Sequence, residues 1–304
     1  MATRPESRRE KVRLAVLLSP TVFWLTVFFL APLLLVLAIS FGQRGTYGGV
    51  EGVLSLESYV RFVDPLYLRI FARTIAIALG TTLICLVIGY PLAYFMATRP
   101  PQWRNVLVLL LMIPFWTNFL IRTYAWLFIL RDQGLINTVW TGALHNMLVG
   151  AADALPFAFV RSMAEATATP LPLFGTTGAI IVGLVYGWLP EMVLPCYASI
   201  ERLDFSLVEA AQDLYASRLR SFLRVILPLT LPGVVAGSVL VFIPSLGAYV
   251  TPNLLGGAKT IMIGNVIYSQ FMSARDYPFG AAVSFVLMAV MLVGTLIYFR
   301  MGRE

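Results

Sequence analysis

SLVEAAQDLYASRLRSFLRVILPLTLPG, Ser206 to Gly233, is a long polar, helix-patterned segment set between two strongly apolar blocks. Ser206 and Glu209 have the S-x-x-E spacing of a capping box, in which each side chain satisfies a backbone N–H at a helix start. Leu207, Ala210, Ala211 and Leu214 fall at i, i+3, i+4 and i+7 and form one apolar face. Glu209 and Asp213 sit one turn apart on another face, and Pro228 and Pro232-Gly233 bound the segment on the far side. A short amphipathic helix between two membrane blocks needs something to bind. Arg218, Arg220 and Arg224 downstream suit a lipid surface. The small side chains of Ala210 and Ala211 suit a tight protein groove better than acyl chains.

The blocks on either side are membrane-spanning by composition. The chain has 304 residues, 59% hydrophobic and 12% charged, against roughly 25% charged in soluble domains. Long apolar runs without charge argue for helices rather than barrel strands, which would be short and alternating. The net charge of +7 does not point to nucleic acid, because the basic residues stand at the ends of apolar runs, where they set topology. Cys85 and Cys196 lie in separate apolar blocks and read as small hydrophobes. No metal site is expected: there is one histidine, His145, and no H-E-x-x-H or C-x-x-C pattern.

Counting outward, the sequence predicts six spans at about 14–41, 70–98, 105–130, 173–200, 225–250 and 279–299, all within one transmembrane domain, 14–304. Residues 1–13, with Arg4, Arg8, Arg9, Lys11 and Arg13, form a cytoplasmic N-terminus; the following run is too long for the apolar core of a signal peptide. The short basic turn from Arg99 to Arg104 and the loop at about 201–224 fall on the cytoplasmic side, and Arg300 and Arg303 hold the C-terminus there. Gly142–Val160 is mildly apolar but contains His145, Asp153 and Pro156. Counting it as a span would reverse the side of the Ser206 helix, so residues 137–172 read as an external excursion with helical turns near the membrane surface. Thr251–Pro278 reads as an external connection punctuated by Gly and Pro.

Glu209-Ala210-Ala211-x-Asp213-Leu214, followed by Ile226-x-Pro228 and Pro232-Gly233, resembles the EAA loop of permease subunits of bacterial ABC importers. The resemblance implies a type I importer permease fold and a coupling helix, Ser206 to Ala216, that docks into a cleft of an ATPase subunit. Glu209 would make polar contacts there, while Ala210 and Ala211 allow close approach. The family usually has glycine after Asp-Leu; here Tyr215 and then Ala216 follow. Ile113-Pro114-Phe115-Trp116-Thr117-Asn118 with Arg122-Thr123-Tyr124-Ala125-Trp126 looks like the third span of spermidine/putrescine permeases of the B type. Gly256-Gly257-Ala258-Lys259, Ile263-Gly264-Asn265-Val266-Ile267 and Arg275-Asp276-Tyr277-Pro278-Phe279-Gly280-Ala281-Ala282 fit the same group.

The implied partners are a second permease of similar fold, two ATPase subunits, an extracytoplasmic solute-binding protein, a small cationic substrate and the bilayer of a bacterial inner membrane. No cofactor is implied. The chain lacks G-x-x-x-x-G-K-[ST], since alanine precedes the lysine in Gly257-Ala258-Lys259-Thr260, so ATP hydrolysis would belong to a partner. An ionisable residue inside a span is a functional candidate. Glu191 would offset the desolvation of an ammonium, pair with Arg122, or sit near a water-filled helix end. Arg122 would orient backbone carbonyls or Glu191. Trp126, Trp188 and Tyr249 would stack on a cation or simply pack and anchor. The same machine carrying an opine, γ-aminobutyrate or another amine is the nearest alternative. An ion-driven secondary carrier would show inverted repeats and several intramembrane carboxylates; here no repeat stands out and one such carboxylate is present.

Overall fold

The computed structural model describes residues 8–52, 54–154, 158–257 and 260–301. Arg4, Pro156, Ala258, Lys259 and Arg303, used in the topology and motif readings above, lie outside those residues. The described chain is helical almost throughout, with one two-stranded hairpin, Gln43–Arg44 paired antiparallel with Val50–Glu51. Five of the described helices are long and apolar enough to cross a membrane, and a sixth span follows if one bent helix pair is counted. The chain divides into two compact units, Met1–Asp64 with Ile267–Met288 and Pro65–Val266 with Ala289–Glu304.

In the first unit, α1 (Arg8–Leu25) passes through a π-helical turn, Thr26–Leu30, into α2 (Ala31–Ser40). A similar π turn, Phe222–Ile226, occurs in the other unit. Each stands just before a proline, Pro32 or Pro228, and contains the residue four positions earlier, Phe28 or Arg224. A proline ring clashes with that carbonyl and donates no N–H to it, and a widened turn relieves both. Apolar side chains on α1 and α2, among them Phe23, Trp24 and Leu35, are exposed, as suits a surface solvated by lipid. After α3 (Glu57–Phe62), Arg61 pairs with the buried carboxylate of Asp276 at 2.8 Å and lies 4.2 Å from the Phe279 ring centroid.

The second unit is built on three helices: α4 (Pro65–Ala97), α10 (Thr177–Glu201) and α13 (Leu227–Leu246). Cys85, Tyr90, Ala93, Met96, Met192, Val193, Cys196, Val234 and Val241 form its core. The helices approach closely because α13 presents Gly233-x-x-x-Gly237. A Cβ at Gly233 would collide with Ser199 and stand 2.6 Å from the Pro195 carbonyl oxygen, and one at Gly237 would be 2.9 Å from the Met192 carbonyl. Small residues at such a crossing replace the hydrophobic effect, which lipid does not supply. Several polar side chains are satisfied within this unit. Tyr90 and Thr230 share a buried hydrogen bond of 2.8 Å, and Thr82, Ser238 and Ser245 donate back to the carbonyl four residues earlier.

The expected third span, 105–130, is broken into two helices, α5 (Pro101–Trp116) and α6 (Phe119–Leu130), and the chain bends by 85° between Pro101–Trp116 and Phe119–Ala152. Thr117 and Asn118 take extended ψ angles of 148° and 132°. Thr117 donates both its amide and its hydroxyl to the Pro114 carbonyl, closing α5, and Asn118 Oδ1 accepts the Leu120 amide, opening α6. Beyond it lie α7 (Leu135–Thr138), the π turn Val139–Leu144, α8 (His145–Ala154) and α9 (Ala158–Thr167). Thus the 137–172 excursion is largely helical. Asn137 is buried and ties its two ends, donating to Arg131 and Leu171 carbonyls and accepting the Leu171 amide.

The connection 251–278 contains two helices, α14 (Val250–Leu255) and α15 (Ile263–Met272). Leu255, Met262 and Ile263 are fully buried, and the Ile263 amide donates to Thr74 Oγ1 on α4. Its short apolar runs are core segments, with Gly and Pro marking the corners between them.

Candidate functional site

Two places carry the chemistry. The first is α11 (Ser206–Asp213). Its start differs from the expected capping box: Ser206 is already helical, and the Asp204 carboxylate accepts the Ser206 amide at 3.0 Å. Hydrogen bonding from Ser206 holds the Asp204 carboxyl below its ordinary value of 3.8. Val208, which is not on the expected apolar face, is the residue of this helix that is buried. Ala211 is half-buried, whereas Leu207, Ala210 and Leu214 are exposed. Most of the stripe is therefore left for something outside this chain.

The helix ends in a Schellman motif. Ala216 N–H donates to the Ala211 carbonyl and Tyr215 N–H to that of Gln212. This puts Tyr215 at the left-handed position, φ 61°, with its side chain 96% exposed. Glycine at that position relieves the Cβ conflict, and this chain accepts the strain instead. Ser217 then caps α12 (Arg218–Ser221), its hydroxyl accepting the Arg220 amide. From Arg218 the helix runs without interruption through the π turn and α13 to Leu246. A groove of about 480 Å³ beside Leu207 is lined by Ser199, Arg202, Asp204, Leu229 and Gly233.

The second place is a cavity of about 260 Å³ between two helix breaks. Phe119, at the start of α6, forms one side. Leu184 and Trp188 on α10 form another, and Pro244 with Gly247–Thr251, between α13 and α14, closes it. Trp188 Nε1 and Thr251 Oγ1 are buried without a hydrogen-bond partner. Interrupted helices at membrane depth are tolerated where they line a cavity, and transporters place substrate sites there.

Of the expected pathway residues, Trp188 and Tyr249 meet at this cavity; Trp126, Arg122 and Glu191 are not part of its lining. Trp126 instead packs edge-on against Tyr186 at 5.5 Å. Arg122 lies 5.7 and 6.0 Å from the Phe115 and Phe119 ring centroids, with Nε and Nη1 buried and without partners. No ion pair joins it to Glu191 among the described residues, and those two nitrogens orient no carbonyl. Glu191 is half-buried on α10, three residues beyond Trp188 and so on a neighbouring part of the helix surface. Sequence reasoning missed Phe119, Leu184, Pro244 and Thr251. The stop and start signals at Pro114, Thr117 and Asn118, and at Pro244 and Gly247, were the available clues.

A largely helical, multi-pass chain with an exposed amphipathic helix and a cavity between broken helices defines a membrane transport component. The chain belongs to the family of binding-protein-dependent transport system inner membrane components, whose pattern matches residues 88–303. It is 42% identical over 290 residues to the spermidine/putrescine transport system permease protein PotB of Salmonella typhimurium, covering 95% of this chain and 93% of that one. It is 39% identical to PotB of Haemophilus influenzae over 97% of this chain and 94% of the relative. The fold matches a chain in the crystal structure of a bacterial alginate ABC transporter in complex with an alginate pentasaccharide-bound periplasmic protein. That match has a TM-score of 0.69 and 17% identity, and covers 97% of this chain and 95% of the other.

Proposed function

We propose that this chain is a permease subunit of an ATP-binding-cassette importer and forms part of the membrane pathway for a polyamine such as spermidine or putrescine. Identity of 42% across 95% of the chain to permeases of that transport system carries the reading. Residues 14–304 act as one transmembrane domain with both termini in the cytoplasm. A second permease completes the pathway, a solute-binding protein delivers substrate outside, and two ATPase subunits dock inside.

The exposed Leu207, Ala210 and Leu214 supply the docking face, with Glu209 and Asp213 beside it. Val208 fixes the helix to the rest of the chain. Movement of a docked ATPase would carry α11 and, through the helix from Arg218 to Leu246, reach the break at Gly247–Tyr249 that walls the cavity. Opening and closing that break on alternate sides is how such a site exchanges access. An ammonium in the cavity meets the faces of Trp188 and Tyr249, each contact worth about 0.5–2 kcal/mol, and Thr251 Oγ1 can accept a hydrogen bond from it. None of the cavity-lining residues is acidic. Compensating negative charge therefore comes from Glu191, about one turn along α10 from Trp188, or from the second permease.

Uptake of labelled spermidine and putrescine, in cells lacking other polyamine importers and supplied with the whole system, tests this. Saturable uptake that needs this chain is expected. Glu191, an ionisable residue within a span, favours a second reading, transport of another amine. If γ-aminobutyrate or an opine enters while polyamines neither enter nor compete, that second reading replaces the first.

A further inference from the structure

We propose that the turn joining α4 to α5 holds one anionic phospholipid. The turn is Arg99-Pro100-Pro101-Gln102-Trp103-Arg104, with two arginines and no acid. It stands where α4 ends and α5 begins, and basic residues at the end of a long apolar helix belong at the level of lipid headgroups. A cleft of about 420 Å³ opens there, lined by Phe95, Arg99, Pro100, Trp103 and Leu107.

The two arginines differ in what they are committed to. Arg104 Nη1 pairs with Glu201 at 2.8 Å, an acid that also accepts the Tyr197 hydroxyl, and its Nε donates to the Arg99 carbonyl. Arg99 lies over the Phe95 ring, 4.2 Å from its centroid, and has no acidic partner among the described residues. Its guanidinium is therefore held at the cleft by an aromatic face while its charge remains uncompensated. Trp103 is 62% exposed on the other wall. A tryptophan at this depth belongs to the interface, with its ring among acyl carbons and its N–H toward the headgroup.

Below the cleft the surface is apolar and matches a hydrocarbon chain. Phe95, Pro91 and Ile88 succeed one another along α4, and Leu107 and Leu110 along α5, and all but the half-buried Leu107 are exposed. A single lipid would set its phosphate on Arg99, its glycerol region beside Trp103 and an acyl chain along this track. Basic pockets at the ends of membrane helices select anionic headgroups in this way. Free phosphate would satisfy Arg99 but leave the apolar track uncovered. The inference does not depend on which solute is transported.

The test uses the complete transporter in discs containing equal amounts of phosphatidylglycerol and phosphatidylcholine, with lipid retention read by native mass spectrometry. Phosphatidylglycerol should be retained preferentially, and Arg99→Gln should lower that retention about fivefold, the effect of one basic side chain near an anionic surface. Millimolar inorganic phosphate should not displace it. Brominated phosphatidylglycerol should quench the wild-type fluorescence component that Trp103→Phe removes more strongly than brominated phosphatidylcholine does, a reading independent of how well Arg99→Gln folds. Equal retention of the two lipids, or loss of the lipid to phosphate alone, would overturn the proposal. So would efficient cross-linking of a Trp103→Cys variant to a second protein subunit, because the cleft would then be a protein interface.

Discussion

At Tyr215 a left-handed backbone bears a large side chain with no packing in return, at a cost of about 1–2 kcal/mol. Tyr215→Gly should therefore raise the melting temperature of the purified chain or leave it unchanged, and ATPase coupling should survive. Loss of coupling with a stable fold would instead show that the exposed ring is itself a contact of the docked partner. Asp204 has a lowered folded-state value, so the stability it lends the helix start is present above 3.8 and fades as pH falls through that lower value. Hydrogen exchange of the first-turn amides of α11, corrected for intrinsic rate, should thus be flat through the neutral range. It should quicken several-fold in Asp204→Ala; equal rates in mutant and wild type would remove Asp204 as the cap. At the cavity, Trp188→Leu should raise the KM for a cationic substrate about tenfold, the range of one desolvated cation–π contact. A change confined to folded yield would assign the ring to packing.

Among elements, the α10–α13 crossing is the least forgiving. Gly233→Ala places a methyl group against Ser199 and the Pro195 carbonyl, and backbone cannot swing aside as a side chain can. Overpacking of this kind costs about 1–3 kcal/mol, so thermal stability and extracted yield should fall. Gly294→Ala, which meets nothing within 4 Å, should not reduce either; comparable losses would show that helix glycine content, not the crossing, is being measured. The sequence made the other spans and the α11 stretch readable because runs of apolar residues and a 3.6-residue period are local properties. Periodicity shows that Leu207, Ala210, Ala211 and Leu214 share a side, but that only Val208 of this helix is buried within the chain depends on packing that no local pattern carries. The break at Thr117–Asn118 was hidden within a continuous hydropathy signal, and α14 and α15 were hidden by glycines and prolines that also punctuate true loops.

On the scale of the whole molecule, much of the apolar surface of the long helices is exposed, including Val87, Leu83, Leu292 and Val293. Lipid is a solvent that suits this surface, and the proposed second permease would cover part of it. The chain reconstituted alone in liposomes should accumulate no substrate against a gradient with ATP or an ion gradient supplied; concentrative uptake by the single chain would overturn the importer reading. The 85° break between α5 and α6 also bears on how the protein is made. Each half-helix is short for a bilayer crossing of about 20 residues, and backbone groups at the break find no partner in hydrocarbon. The surfaces that shelter α6, on α10 and α14, are synthesised later. This segment therefore has to wait beside the insertion machinery until Thr177–Leu255 has emerged, and chains truncated before Thr177 should be removed by membrane proteases rather than accumulate as a stable three-span fragment.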